Sequence, residues 1–156
     1  MHTLLQDFWK WLKEEYEKTR EEYGEEGLRQ DEGEEEDNYP KFDELIHCAK
    51  EIIRKNILDE DKIYDLITVM ALDNELEGVL KDIVEYSSSE QVEVIVNVGI
   101  THFSHDSRWQ ITELLYQRRP KDYYEKLLIL SKDRHFYVRR RAKNCLEYLR
   151  EEGEIK

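Results

Sequence analysis

Proline, cysteine and methionine occur only twice each in the 156 residues, and glycine only six times. So few chain breakers leave long stretches free to hydrogen-bond as helix, whereas a strand-rich fold would need Gly/Pro turns every few residues. The two cysteines, Cys48 and Cys145, are far apart and each falls in an apolar helical pattern. That spacing excludes a disulfide framework or a zinc knuckle and reads as two small core residues in a reducing compartment. Long hydrophobic runs are missing as well: no segment approaches the roughly 20 apolar residues that span a bilayer. Residues Met1 to Lys18 alternate aromatic and charged side chains instead of forming the apolar centre of a signal peptide. A cytoplasmic protein with no membrane contact is expected.

What is abundant is charge. Charged residues make up 39% of the chain and the formal net charge is −13, yet the two signs are segregated: residues 1–100 carry −17 and residues 101–150 carry +6. The acidic part disfavours generic contact with nucleic acid or anionic lipid, and the basic part can meet an acidic partner.

The periodicity predicts helices almost throughout. A capping helix is expected from Thr3 to about Tyr23, with Leu4, Leu5, Phe8, Trp9, Trp11, Leu12 and Tyr16 on its apolar face. Gly24 to Pro40 is poor in apolar residues and reads as an acidic loop, its run Glu32 to Asp37 being solvated or a weak cation site. A helix over 41–57 follows, and then helices over 60–72 and 73–86. Ser88 and Gln91 form a capping box that opens a helix to about Ile100. Another helix runs from about His105 to Gln117. Pro120 is expected in the first turn of the next helix, and Asp133 is expected to cap the last, in which Val138, Ala142, Cys145, Leu146 and Leu149 share one face. All of this fits one domain over 1–156.

Setting Ser107-Arg108, Ile111 and Leu115 over Val138-Arg139, Ala142 and Leu146 gives a constant offset of 31 positions, and the same offset backward reaches Leu76, Leu80 and Val84. Three helix pairs are thus in register, over 60–86, 89–117 and 120–149, which is the sequence sign of a stacked helical repeat. Asp133, Val138-Arg139, Ala142 and Leu146 resemble the second helix of a HEAT repeat, and the short period resembles the HEAT-like variety found in phycobilin lyases and some DNA glycosylases. Some bacterial toxin-immunity proteins also resemble small solenoids of this type. The resemblance implies an all-α, right-handed α-solenoid of about three HEAT-like helix pairs, preceded by two helices and an acidic loop. It also implies that Arg108 and Arg139 pair with acids at the repeat turns, Asp106 or Asp133 among them.

A helical wheel places Trp109, Thr112, Glu113 and Tyr116 opposite the core side of their helix, with Arg140, Lys143 and Asn144 at equivalent positions in the last one. Trp109, Glu113, Tyr116, Arg140, Lys143 and Asn144 are therefore the expected partner-binding residues, since aromatic anchors beside arginine suit an interface centre. The alternative for Trp109 is burial under the amino-terminal helix. His102 and His105 stand three apart but lack a third metal ligand, and Glu44/His47 and Asp133/His135 are one-turn pairs of common residues. No nucleophile elbow or phosphate-cradling glycine loop is present, so neither catalysis nor a cofactor is expected. The function expected is a non-enzymatic protein–protein binding module, an immunity protein facing a basic toxin domain being its sharpest form. The alternatives are a nucleic-acid-binding or repair protein and an accessory subunit of an enzyme such as a lyase.

Overall fold

The computed structural model describes residues 1–26 and 38–155, and every regular element among them is helical. The elements are α1 (His2–Tyr16), α2 (Arg20–Glu26), α3 (Phe42–Arg54), α4 (Glu60–Leu72), α5 (Gly78–Tyr86), α6 (Ser89–Gly99), α7 (His105–Arg118), α8 (Tyr123–Leu130) and α9 (Phe136–Glu151). The acidic run Glu32 to Asp37 lies outside the described residues.

Local chemistry sets most of the boundaries. At α6 the expected capping box is formed: the Gln91 amide donates to Ser88 Oγ at 3.2 Å, and Gln91 Oε1 accepts from the Ser88 amide at 2.9 Å. Ser104 caps α7 by accepting from the Asp106 amide. Four boundaries differ from expectation. The first helix stops at Glu17, which adopts a left-handed φ of 55°, and after Thr19 a separate short helix runs on to residue 26. Residues 24–26 therefore belong to α2 and not to the acidic loop. Asp73 does not open α5; its buried carboxylate accepts from the Val79 amide, and the helix begins at Gly78. Pro120 sits in a turn closed by the Tyr123 amide, three residues before α8. Asp133 holds the turn before α9 by accepting from the His135 amide at 2.8 Å, which makes His135 the N-cap residue.

The odd-numbered helices pack in order, α3 on α5, α5 on α7 and α7 on α9; α4 packs on α6, and α8 on both α7 and α9. Helix α1 rests on α4 and α2 on α7. Helix α7 is central and is buried on nearly every side, from Ser107 through Leu115 apart from Glu113. Its buried polar residues find partners in part: Gln110 Nε2 donates to Met70 O of α4 and Thr112 to Trp109 O, both at 2.7 Å, while Gln110 Oε1 has no partner among the described residues. Gly99 lets α6 approach this helix, because a Cβ there would run into the Ile111 side chain. Successive helix pairs are tied by an ion pair. Arg108 grips Asp133 with two parallel bonds, Nε to Oδ2 at 2.8 Å and Nη2 to Oδ1 at 3.0 Å, and both side chains are almost fully buried. Arg139 donates to the carbonyls of Asp133 and Arg134.

Candidate active site

The turns that start α7 and α9 lie side by side, and two cavities open between them. One, of about 340 Å³, is lined by Gly24, Glu25, His105, Arg108, Arg134 and His135. The other, of about 300 Å³, shares Arg108 and Arg134 and adds Ile100, Thr101, His102 and Asp133. The Arg108–Asp133 pair forms part of the wall. Burial alone would raise the Asp133 carboxyl, but the Arg108 hydrogen bond, the His135 amide and the nearby guanidinium charges outweigh it and hold it below its ordinary value. Arg134 is looser, donating to Phe103 O at 3.3 Å and standing 3.7 Å from Glu25 across the cavity mouth.

Three histidines meet here in different surroundings. His102 is buried, with Nδ1 accepting from the Ser104 amide and standing 2.7 Å from Ser107 Oγ. Its Nε2 donates to Thr68 Oγ1, which donates onward to Tyr64 O. Burial, with Arg20 and Arg108 nearby, pushes this imidazole down to about 3, so it stays neutral. Ser107 and His102 form a serine–imidazole pair in distance, but both are sealed from solvent, and the pair braces the turn.

His105 and His135 face the larger cavity, their rings in contact with centroids 3.9 Å apart and planes tilted by 32°. His105 Nδ1 donates to Gly24 O at 3.2 Å, and its Nε2 lies 3.3 Å from Asp106 Oδ1, which also accepts from Trp109 Nε1. His135 Nδ1 is buried and has no partner, so no neighbour fixes its tautomer and exchange with the cavity must use Nε2. Burial, the adjacent His105 and the charge of Arg108 lower its pKa, leaving a neutral ring near pH 7. A neutral imidazole beside an arginine at the wall of a cavity can accept a proton from a bound hydroxyl. Among the described residues no three His, Cys, Asp or Glu side chains converge to hold a metal ion. No helix among them is long and apolar enough to cross a membrane.

The six residues expected to bind a partner lie elsewhere, along α7 and α9. Trp109 is 5% exposed; it meets Tyr137 edge-on at 5.8 Å and carries the Arg141 guanidinium 4.9 Å from its ring, so α9 covers it and not the amino-terminal helix. Glu113 is half-buried and accepts from Arg141. Tyr116 donates to Glu152 at 2.5 Å. Arg140, lying over Tyr137, is exposed along with Lys143 and Asn144. Thr112, placed on the outer face by the wheel, is fully buried.

Sequence reasoning passed over His105 and His135 as ordinary turn residues. A signal was present: one is the first residue of α7 and the other the N-cap of α9, so the repeat that overlays these helices also brings the two rings together.

Among characterised proteins and solved structures nothing matches the chain. One family model, described as alcohol acetyltransferase, matches residues 30–128. That match overturns the HEAT-like and toxin-immunity resemblance. It also overturns the expectation of a non-enzymatic binding module without catalysis, and it lends no support to a nucleic-acid-binding protein or a lyase accessory subunit. His102, His105, Asp106 and Arg108 lie within the matched span, and Asp133 to His135 lie beyond it. With well over half of its length matched, the chain belongs to the alcohol acetyltransferase family.

Proposed function

We propose that this protein transfers an acetyl group to an alcohol, and that the reaction takes place in the His105–His135 cavity. The observation that carries the reading is the contacting histidine pair, in which neutral His135 faces a cavity of about 340 Å³ beside Arg134. In the reaction His135 Nε2 takes the hydroxyl proton as the alcohol oxygen attacks the acetyl carbonyl of an activated ester or thioester. The carbonyl oxygen becomes an oxyanion, and the Arg134 guanidinium at the mouth is placed to meet that charge. Collapse of the tetrahedral adduct releases the donor's thiolate or alkoxide, which recovers the proton from His135. His105, tied to Gly24 O and flanked by Asp106, positions the neighbouring ring.

The test is thiol release from a simple acetyl thioester in the presence of straight-chain and branched alcohols. The wild type should form the acetate ester, and His135→Ala should lower kcat/KM by about 10²- to 10⁴-fold, the span usual for loss of a general base. A wild-type rate no higher than buffer with every alcohol would overturn the reading.

We further infer that the helix pairs α4–α5, α6–α7 and α8–α9 stack as a right-handed α-solenoid. The ordered packing of α3, α5, α7 and α9 supports this, as does the Arg108–Asp133 tie between adjacent pairs. In such a stack each pair touches mainly its neighbours, so a chain ending after α7 should still unfold cooperatively with a smaller denaturant slope. Its collapse to an unfolded chain would argue against the stack.

A further inference from the structure

We propose that α2 is a lid over the His105–His135 cavity, latched shut by Arg20 in an aromatic cage made of Trp9, Tyr64 and Phe103.

The latch is built from three elements. Trp9 comes from α1, Tyr64 from α4, and Phe103 from the turn before α7. The Arg20 guanidinium carbon lies 4.5 Å from the Phe103 ring centre, 5.3 Å from that of Tyr64 and 5.8 Å from that of Trp9. It also donates to the Tyr64 hydroxyl at 3.0 Å. Three ring faces around one cation form a strong and specific grip, because the guanidinium meets several quadrupoles while keeping a hydrogen bond.

What the latch holds in place is a wall of the site. Gly24 and Glu25 of α2 line the cavity, and the Gly24 carbonyl accepts the His105 Nδ1 proton. Gly24 can reach that position because it has no side chain: a Cβ would strike the Phe103 ring. Phe103 therefore serves the lid twice, as a wall of the cage for Arg20 and as the surface on which Gly24 lands. On the far side of the cavity, Glu25 meets Arg134 only at 3.7 Å, a contact loose enough to break.

The lid also has a hinge. Helix α2 is seven residues long, and the chain enters it through Glu17, whose φ is 55°, followed by the non-helical Lys18 and Thr19. Thr19 and Glu22 cap the short helix reciprocally, so its start is defined independently of α1. Tyr23 is fully buried against Phe8 and Trp9 in the same aromatic cluster, so the lid opens only when this ring is withdrawn together with Arg20. A substrate entering the larger cavity meets His135 once α2 has swung away from the start of α7. The lid's part in catalysis rests on the acyl-transfer reading, but its opening can be measured without any turnover.

The experiment follows modification of the folded full chain by diethyl pyrocarbonate, scored residue by residue by mass spectrometry, with exposed His47 as the internal reference. Relative to His47, modification of His105 and His135 should rise by a few-fold to about tenfold in Arg20→Ala, the factor expected when a half-exposed cation–π grip is removed. Gly24→Ala should raise it as well, by forcing α2 off Phe103, whereas Arg20→Lys, which keeps the cation, should stay near the wild-type rate. Hydrogen exchange of the wild-type chain provides a second measurement that needs no variant. Amides of 20–26 should exchange through a local opening insensitive to low denaturant, faster than those of α7. Unchanged histidine modification in both Arg20→Ala and Gly24→Ala would overturn the lid, as would α2 amides that exchange only with global unfolding. Either result would leave the acyl-transfer assay unaffected.

Discussion

Lowering the pH from about 7 to about 5 should weaken the fold through one imidazole, His102. Both of its nitrogens are committed: Nδ1 accepts from the Ser104 amide, and Nε2 donates to Thr68. A second proton on Nδ1 would face an N–H donor in a buried site already next to Arg20 and Arg108, which is why the pKa falls from 6.5 to about 3. In the unfolded chain the ring titrates normally. Below the unfolded value of 6.5 the unfolded state therefore takes up a proton that the folded state refuses. The stabilisation is complete above that pH and is lost as pH falls toward about 3, at about 1.4 kcal/mol per pH unit. By about pH 5 the loss is about 2 kcal/mol, a large share of the 5–15 kcal/mol typical of a domain. Urea unfolding at the two pH values measures it. With a denaturant slope of about 1–3 kcal/mol per molar, the wild-type midpoint should drop by about 1 M more than that of His102→Gln. The glutamine amide can keep an acceptor toward Ser104 and a donor toward Thr68 without a titrating group. His135, also lowered, titrates in both chains and cancels from the comparison. Equal midpoint shifts in the two chains would refute the reasoning, as would an NMR signature of charged His102 at pH 5.

The remaining predictions concern the tie between helix pairs, the closest helix approach and the reacting base. Asp133→Ala leaves the buried Arg108 guanidinium without its carboxylate and should cost about 3–5 kcal/mol in chemical denaturation, more than Arg108→Met with Asp133→Ala together. Because the Asp133 carboxyl is held below its ordinary value of 3.8, that contribution should be fully present at neutral pH and should fade only under acid below that value. Gly99→Ala should cost about 1–3 kcal/mol through overpacking against Ile111, and Ile111→Val should recover part of the loss in thermal melts. If His135 is the base, kcat/KM should be flat near pH 7 and fall on the acid side with a midpoint below 6.5, since the neutral ring is the active form; a midpoint above 6.5 would count against it.

The helical class and most helix positions were legible because they depend on local chemistry. The capping box at Ser88 and Gln91 formed as read, and α4 occupies the stretch that its apolar spacing marked out. What periodicity misread was α7. A wheel finds one core face, here Ile111 and Leu115, and assigns the opposite side to solvent. Helix α7 has a neighbour on that side too: Tyr137 and Arg141 of α9 close over Trp109, and the Cys145 thiol reaches Thr112 O. A helix packed on both sides buries polar residues wherever a neighbouring helix supplies a partner, and the sequence of α7 alone does not say that α9 docks there. The break at Glu17 was hidden for a different reason, since a glutamate in the left-handed region carries none of the glycine signal that usually marks a helix end.

The site is not legible in the periodicity because it is made of turns, whereas periodicity marks helix faces. Packing α7 beside α9 brings the starts of both helices to one place, and the Arg108–Asp133 pair fixes the spacing between them. Helix starts present unpaired amide groups and the positive end of the helix dipole, which together disfavour an imidazolium. His135 is the N-cap residue of α9, so the position that brings its ring against His105 also buries it between that ring and Arg108, which together lower its proton affinity. Burial is the largest cause of its lowered pKa, His105 and Arg108 add to it, and the carboxylates of Asp106 and Asp133 oppose it without reversing it. A residue set this way can act as a base at neutral pH without a carboxylate partner of its own, and the acid that the chain does supply, Asp106, sits on the neighbouring ring.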